Sequence, residues 1–154
     1  MSTDNKANEY RLHHALGYQL SLTARLLERR FEDALKTLGL TRITWCILLA
    51  VEVEDLLTPS DIAGFVGIDR TATSRALRQM ETAGMIARGV GKNDGRTTTV
   101  SLTENGRDLQ IKAAPMARAN AQHWQGKLAP TELDELRRLL AKMRSGEGTA
   151  LKRL

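Results

Sequence analysis

The segment from residue 68 to residue 103 constrains the fold most, because a short amphipathic helix is followed at once by a β-hairpin. The helix carries arginines and hydroxyl groups on one face and apolar side chains on the other. The hairpin turns at Asn93-Asp94-Gly95, residue types that tight hairpin turns require. A helix fits the major groove of DNA, and a cationic hairpin tip can reach the adjacent minor groove. The pattern predicts a winged helix-turn-helix that binds double-stranded DNA.

A second helix precedes this one, and its start has a clear capping pattern. Thr58 is predicted to cap it, Pro59 to occupy its first position, and Asp61 to reach back to the cap. This helix ends near Gly67, and Asp69 is well placed to cap the next helix. Two helices joined by a tight turn form a helix-turn-helix, whose second helix reads DNA.

Apolar stripes at helical spacing flank this central unit on both sides. The fold class is predicted to be mainly α (α+β), with a winged helix-turn-helix and flanking dimerisation helices in one domain. The predicted ranges are 40–103 for the winged helix-turn-helix, 8–38 and 104–144 for the dimerisation helices, and 1–7 and 145–154 for flexible tails. The small central unit cannot cover all the flanking stripes, so a two-fold homodimer is predicted, which also suits a palindromic DNA site.

Charge and cysteine content narrow the class of protein. The formal net charge is +5, which favours a polyanionic partner. Residues 67–103 hold six cations and three anions. A single cysteine, Cys46, excludes an intrachain disulfide and, without a signal peptide, indicates the reducing cytoplasm. The longest apolar run, residues 45–51, is too short to cross a bilayer, so no membrane partner is expected.

The sequence has none of the patterns that would favour an enzyme. It contains no phosphate-binding Walker loop, no nucleophile elbow, no zinc-protease helix and no dinucleotide fingerprint. His13, His14, His123 and Cys46 match no tetrahedral zinc spacing. We therefore expect a non-enzyme without metal or cofactor. An architectural DNA-binding protein, or an activator without small-molecule control, is the alternative.

The chain resembles the multiple antibiotic resistance regulator (MarR) family of bacterial transcription factors. The wing signature is Asp94-Gly95-Arg96 followed by Leu102-Thr103-Glu104-Asn105-Gly106, and residues 67–86 match the recognition-helix region. Gly39-Leu40-Thr41, with Trp45 soon after, matches the entry to the second helix. The resemblance covers about residues 12–143. It implies a homodimer held by the first helix and the last two, bound to a pseudo-palindromic operator.

The resemblance also implies a mode of control. It suggests a repressor relieved by a small ligand, often a phenolic or aromatic acid, held between the dimerisation helices and the DNA-binding lobe. Some members of the family sense oxidants through cysteine instead. Cys46, next to a tryptophan in an apolar run, is expected to be a buried and inert thiol.

Nine residues are candidates for DNA contact. They are Arg70, Thr71, Thr73, Ser74, Arg75, Arg78, Lys92, Asp94 and Arg96. Arg75 is the predicted base reader, because arginine can contact guanine in bidentate fashion, whereas Arg70 and Arg78 are assigned to phosphates. Arg96 is expected in the minor groove, oriented by Asp94. The alternative for Thr71, Thr73, Ser74 and Arg75 is helix capping and a solvated face. The alternative for Arg96 is a solvated arginine in a turn.

Six further residues are candidates for holding a small aromatic or phenolic acid. They are Arg11, His13, His14, Tyr18, Arg42 and Trp45. An imidazole and an arginine could together hold a carboxylate, and Trp45 is expected in the core with one edge on a cavity. The alternative is that these histidines lie on the surface and bind no ligand, which is the commoner situation for histidine.

Overall fold

In the computed structural model of the protein, residues 10–91 and 97–147 are described. A short 3-10 helix at Leu12–His14 is followed in those ranges by six α-helices and two strands. They are α1 (Leu16–Lys36), α2 (Arg42–Glu52), α3 (Pro59–Val66), α4 (Arg70–Thr82), β1 (Ile86–Val90), β2 (Thr98–Leu102), α5 (Glu104–Gln125) and α6 (Pro130–Arg144). The predicted class, a mainly helical winged helix-turn-helix, is confirmed.

The caps of α3 and α4 form as the sequence predicts. The Asp61 N–H donates to Thr58 Oγ1 at 3.2 Å, and this hydroxyl donates to Asp61 Oδ2 at 2.6 Å. The Ala72 N–H donates to Asp69 Oδ1 at 2.7 Å. Between the two helices Gly67 has φ +76°, a left-handed conformation that glycine adopts without a steric penalty. These local contacts set the helix-turn-helix geometry.

Strands β1 and β2 form an antiparallel hairpin in which Ile86 pairs with Leu102 and Arg88 with Val100. Val100 and Leu102 are buried and Ser101 is exposed, as the alternation predicts. Thr99 is half-buried instead of facing out fully. The Val100 N–H donates to the Leu57 carbonyl at 2.8 Å, so the hairpin is also fastened to the segment before α3.

One hydrophobic core holds the helices and the hairpin together. Its fully buried side chains include Leu35, Leu48, Ile62, Leu77 and Val100, one from each of five elements. Because α1, α2, α3, α4 and β2 each contribute to it, the orientation of the helix-turn-helix is set by the same core as the base of the wing.

The first helix starts later than the sequence suggests. We expected one helix from residue 8, but α1 begins at Leu16, after a 3-10 helix and an extended Ala15 (ψ 125°). Residues 8 and 9 lie outside the described ranges. The apolar spacing of Leu12 and Leu16 does not distinguish a continuous helix from a broken one, and Gly17 weakens helix formation at this point.

The last helix, α6, packs little against the rest of the chain. Ala129 supplies no side-chain cap to α6; instead its N–H donates to the Glu132 carboxylate at 2.7 Å. No residue of α6 is buried, and Leu136 and Met143 are 41% and 50% exposed. No helix in the described ranges is long and apolar enough to cross a membrane.

Candidate DNA interface

The candidate interface is built on α4, which separates an exposed polar face from a buried one. Thr71, Arg75 and Arg78 are exposed and follow helical spacing, so they share one face. On the opposite face Leu77 and Met80 are buried in the core. The core therefore holds α4 so that its hydroxyl and guanidinium groups project outward. Arginine and threonine in this position can contact base edges or phosphates in a groove.

Thr73 is not part of this exposed face, which corrects the sequence-based assignment. Its side chain is 1% exposed, and its hydroxyl donates to the Asp69 carbonyl at 2.8 Å. Thr73 lies three, four and seven residues before core residues of α4, so helical geometry turns it inward. In this conformation its hydroxyl is not accessible to DNA. The next residue, Ser74, is half-buried.

Arg70 lies beside a surface groove of about 400 Å³ where three elements meet. The groove is lined by Thr58, Pro59, Ser60, Arg70, Thr97 and Thr98. It brings the start of α3, the start of α4 and the start of β2 together around one exposed guanidinium. An exposed arginine in a groove lined by threonine and serine residues is suited to a phosphate, in keeping with its predicted contact to the DNA backbone.

The predicted contacts at the wing tip, Lys92, Asp94 and Arg96, lie outside the described residues. The strands on either side are paired as far as Gly91, whose N–H donates to the Thr97 carbonyl at 2.7 Å. The assignments at the tip stay predictions from the sequence.

Arg88 on β1 is paired with Glu81 on α4, a contact that was not predicted from the sequence. The guanidinium donates from Nε to Glu81 Oε2 at 2.9 Å, and Nη2 donates to the same oxygen. This hydrogen bonding holds the pKa of Glu81 below its ordinary value and raises the pKa of Arg88. Arg88, one of the six cations counted between residues 67 and 103, is therefore already neutralised. The signal in the sequence was that Arg88 follows Glu81 by seven residues, with a turn between them, so that the two side chains could meet.

The candidate ligand residues fall into two separate groups. Arg11, His13 and His14 are exposed near the start of the chain, and His13 contacts Tyr18 edge-on with ring centroids 5.1 Å apart. The second group is on α2. No hydrogen bond, ion pair or ring contact joins the two groups within the described part of the chain.

On α2, Arg42 and Trp45 each have a partner on α1. Arg42 Nε forms an ion pair with Glu28 at 3.3 Å, so the guanidinium is partly neutralised. Trp45 packs edge-on against Phe31, with ring centroids 4.8 Å apart. Its indole Nε1 is buried and has no hydrogen-bond partner among the described residues. A buried donor without an acceptor is unusual in a folded protein and costs free energy.

Cys46, next to Trp45, is half-buried, whereas the sequence predicted full burial. Partial burial raises the pKa of its thiol above the ordinary value, against the smaller opposing effect of Arg42. The thiolate is the reactive form, so a raised pKa disfavours reaction at neutral pH. In the described ranges, no group of three or more histidine, cysteine or acidic side chains could hold a metal ion.

The fold and the exposed face of α4 define the class of a winged helix-turn-helix DNA-binding protein. Residues 38–97 match the MarR family. An HTH-type transcriptional repressor of Mycobacterium tuberculosis is 29% identical over 130 residues, which cover 84% of this chain and 94% of the repressor. In this region and along most of its length the chain is therefore similar to the MarR family of transcriptional regulators. The family and this relative are regulators, not enzymes.

Two solved structures share the architecture. The regulator MosR of Mycobacterium tuberculosis, in complex with DNA, is 27% identical with a TM-score of 0.73; the match covers 89% of this chain and 96% of MosR. BpsR of Bordetella bronchiseptica has a TM-score of 0.82 at 22% identity, covering 90% of this chain and 99% of BpsR. DNA binding by BpsR is regulated by 6-hydroxynicotinic acid. At this identity, the similarity to BpsR concerns the fold alone.

Proposed function

We propose that this protein is a transcriptional repressor that binds a pseudo-palindromic operator as a homodimer and is released from it by a small ligand. The observation that carries the proposal is the exposed row Thr71, Arg75 and Arg78 on a helix whose other face is locked in the core. The similarity to the repressor of Mycobacterium tuberculosis and to the DNA-bound MosR also supports a DNA-binding repressor. A cytoplasmic location stays a prediction from the cysteine content.

The solvent-exposed apolar face of α6 supports the proposed homodimer. Leu136, Leu139 and Met143 expose between 41% and 50% of their surface, and Leu12 and Leu16 near the start of α1 expose 49% and 55%. Apolar side chains concentrated on an otherwise unburied helix indicate a protein interface. Two-fold pairing would present two copies of α4, which suits half-sites about one helical turn of DNA apart.

The unpaired indole N–H of Trp45 supports the proposed site for a small ligand. Its unpaired Nε1–H lies one helical turn after Arg42 on α2. A carboxylate or phenolic oxygen would give this donor the acceptor it lacks, and an aromatic ring could stack in the surrounding apolar side chains. The ligand class we propose is therefore a small aromatic or phenolic acid. His13 and Tyr18 would join the site only through rearrangement or the second protomer.

Selection of DNA from a random-sequence duplex library tests the operator. We expect the wild-type protein to enrich an inverted repeat, and Arg75→Ala to enrich it with relaxed specificity at the base pair that Arg75 contacts. Recovery of unenriched sequences, with equal affinity for all duplexes, would favour the architectural alternative and overturn the repressor.

Sedimentation at micromolar concentration tests the homodimer. The wild type is expected to sediment as a dimer and Leu136→Asp as a monomer, since a buried unpaired carboxylate is costly. Thr131→Asp adds the same charge to an exposed position of α6 and should stay dimeric. A monomeric wild type would contradict the proposal.

Thermal unfolding with salicylate and 6-hydroxynicotinate tests the ligand. An acid present at about a hundred times its dissociation constant should stabilise the fold by roughly 2.7 kcal/mol. Trp45→Phe keeps a ring but loses the donor, so it should lose most of this effect. Trp124→Phe is the matched control, since Trp124 Nε1 already donates to Asn120 at 3.2 Å. Equal responses of both variants would remove Trp45 from the ligand site.

A further inference from the structure

Arg88 and Glu81 connect the wing to the recognition helix through their side chains. Glu81 lies in the last turn of α4, and Arg88 lies in the middle of β1. Both nitrogens of the contact, Nε and Nη2, donate to Glu81 Oε2. Across residues 10–91 and 97–147, no other side-chain hydrogen bond or ion pair joins α4 to either strand.

The Glu81–Arg88 pair lies at the point along β1 where the hairpin passes from the buried core to the exposed surface. Side chains alternate along a strand, so Ile86 and Arg88 share a face. Ile86 is buried, whereas Gly89 and Val90 beyond Arg88 are exposed. Arg88 is therefore the last described residue of β1 that is fastened to α4. On the other strand, the Val100 N–H holds β2 to the Leu57 carbonyl.

The exposure of the pair argues against a role in global stability. The side chains of Arg88 and Glu81 are 31% and 38% exposed, and ion pairs with this exposure contribute little to the stability of a fold. The pairing also removes a free positive charge from the DNA-facing unit, because Glu81 neutralises Arg88. What the contact does constrain is the direction in which β1 leaves α4.

We propose that the Glu81–Arg88 ion pair is a positioning device that sets the angle between the recognition helix and the wing. A protein that reads the major groove with one element and the minor groove with another needs both at a defined separation. The inference rests on the proposed DNA-binding function, and it assigns Arg88 to orientation, not to a phosphate.

The two roles of Arg88 predict opposite effects of removing Glu81. If Arg88 binds a phosphate, Glu81→Gln frees its charge and tightens DNA binding, whereas Arg88→Gln lowers the slope of log affinity against log salt by about one unit. If the pair sets the angle, both variants weaken binding to the same degree. The salt slope then stays at its wild-type value, because no phosphate contact is lost.

The experiment uses a duplex that the wild-type protein enriches from a random-sequence library, with fluorescence anisotropy over a potassium chloride series. We expect Glu81→Gln and Arg88→Gln each to weaken binding about tenfold, within the range for coupled residues in contact. The double variant should lose no more than either single variant. The exchanged pair, Glu81→Arg with Arg88→Glu, should recover most of the affinity. Circular dichroism should show the wild-type fold throughout.

Lys36→Ala is the matched control. It breaks an exposed ion pair on α1, with Asp33 at 2.9 Å, and should leave DNA affinity unchanged. Tighter binding by Glu81→Gln, a smaller salt slope for Arg88→Gln, or wild-type affinity in both would overturn the positioning role while leaving DNA binding intact. If the wild type enriches no sequence, the proposed function itself fails, and this inference fails with it.

Discussion

Gly106, in the first turn of α5, lies directly against the main-chain carbonyl of Met85, where an added Cβ atom would collide with the oxygen. The neighbouring cap reinforces this approach. The Thr103 hydroxyl donates to the Gly84 carbonyl at 2.6 Å, and the Thr103 N–H donates to the Met85 carbonyl at 3.1 Å. The Leu-Thr-x-x-Gly part of the wing signature thus fastens α5 to the turn between α4 and β1.

Gly106→Ala is therefore expected to destabilise the protein. The collision is with backbone, which cannot move as a flexible side chain can, so the cost should be about 1–3 kcal/mol, as for other overpacked sites. Urea denaturation followed by circular dichroism measures it. Gly64→Ala is the control, because no atom lies within 4 Å of the new Cβ and alanine favours a helix by roughly 0.5–1 kcal/mol. Equal stabilisation by both substitutions would contradict the packing argument.

Thr73→Val should leave DNA recognition unchanged. The substitution keeps the buried shape and replaces the hydroxyl with a methyl group, while the Asp69 carbonyl still accepts the main-chain N–H of residue 73 at 3.0 Å. We expect a loss of about 1 kcal/mol or less in stability and the wild-type sequence preference. Thr71→Val, on the exposed face of the same helix, should weaken binding. An altered preference in Thr73→Val alone would restore Thr73 to the interface.

The parts of the fold that the sequence could predict are those controlled by local interactions. Thr58 and Asp69 were expected to cap helices, and each accepts a main-chain N–H three residues later, as Thr103 does at the start of α5. Such bonds depend on residue type and spacing alone. The left-handed conformation of Gly67 and the alternation of buried and exposed side chains along β2 also depend only on nearby residues. For that reason the helix-turn-helix and the base of the wing could be located without a structure.

The parts that could not be predicted depend on contacts between elements. Thr73 is a different case: it was assigned to DNA because threonine can contact bases or phosphates, although its spacing from the apolar residues of α4 already indicated the core side of the helix. The pairing of Arg88 with Glu81 crosses a turn, so a charge count treated both as free. The collision that requires glycine at position 106 depends on a carbonyl from another element. Residue composition carries none of these three relationships.

Arg96→Ala should weaken operator binding while leaving the fold intact. Arg96 lies outside the described residues, so the prediction rests on the sequence Asp94-Gly95-Arg96 at the predicted hairpin turn. Narrow A·T-rich minor grooves attract arginine, so the loss should be largest on operators with A·T-rich flanks. Anisotropy at fixed salt on A·T-flanked and G·C-flanked duplexes measures it, with circular dichroism as the folding control. Equal affinity of variant and wild type on A·T-flanked DNA would remove the minor-groove role.

Cys46 should react slowly and should not act as an oxidant switch. Partial burial raises the pKa of its thiol, so the thiolate fraction at neutral pH is smaller than in an unfolded chain and grows as pH rises toward that pKa. Mass spectrometry after iodoacetamide treatment should show slower modification of native than urea-unfolded protein, with a rate that increases with pH. Cys46→Ser should retain DNA binding and any ligand response. Peroxide-driven release from DNA that requires Cys46 would contradict this.

Arg75 and Arg78 should differ in the kind of DNA contact they make, although both are exposed on one face of α4. Loss of a bidentate base contact in Arg75→Ala should cost about 1–3 kcal/mol at one base pair and relax specificity there. Arg78→Ala should weaken binding to all sequences alike and lower the salt slope by about one unit, since a phosphate carries no base identity. Binding to a set of single-base operator variants, repeated at several salt concentrations, separates the two effects. Uniform weakening across every operator variant by Arg75→Ala would mean that this arginine also contacts the backbone, and that the bases are read from another position on α4.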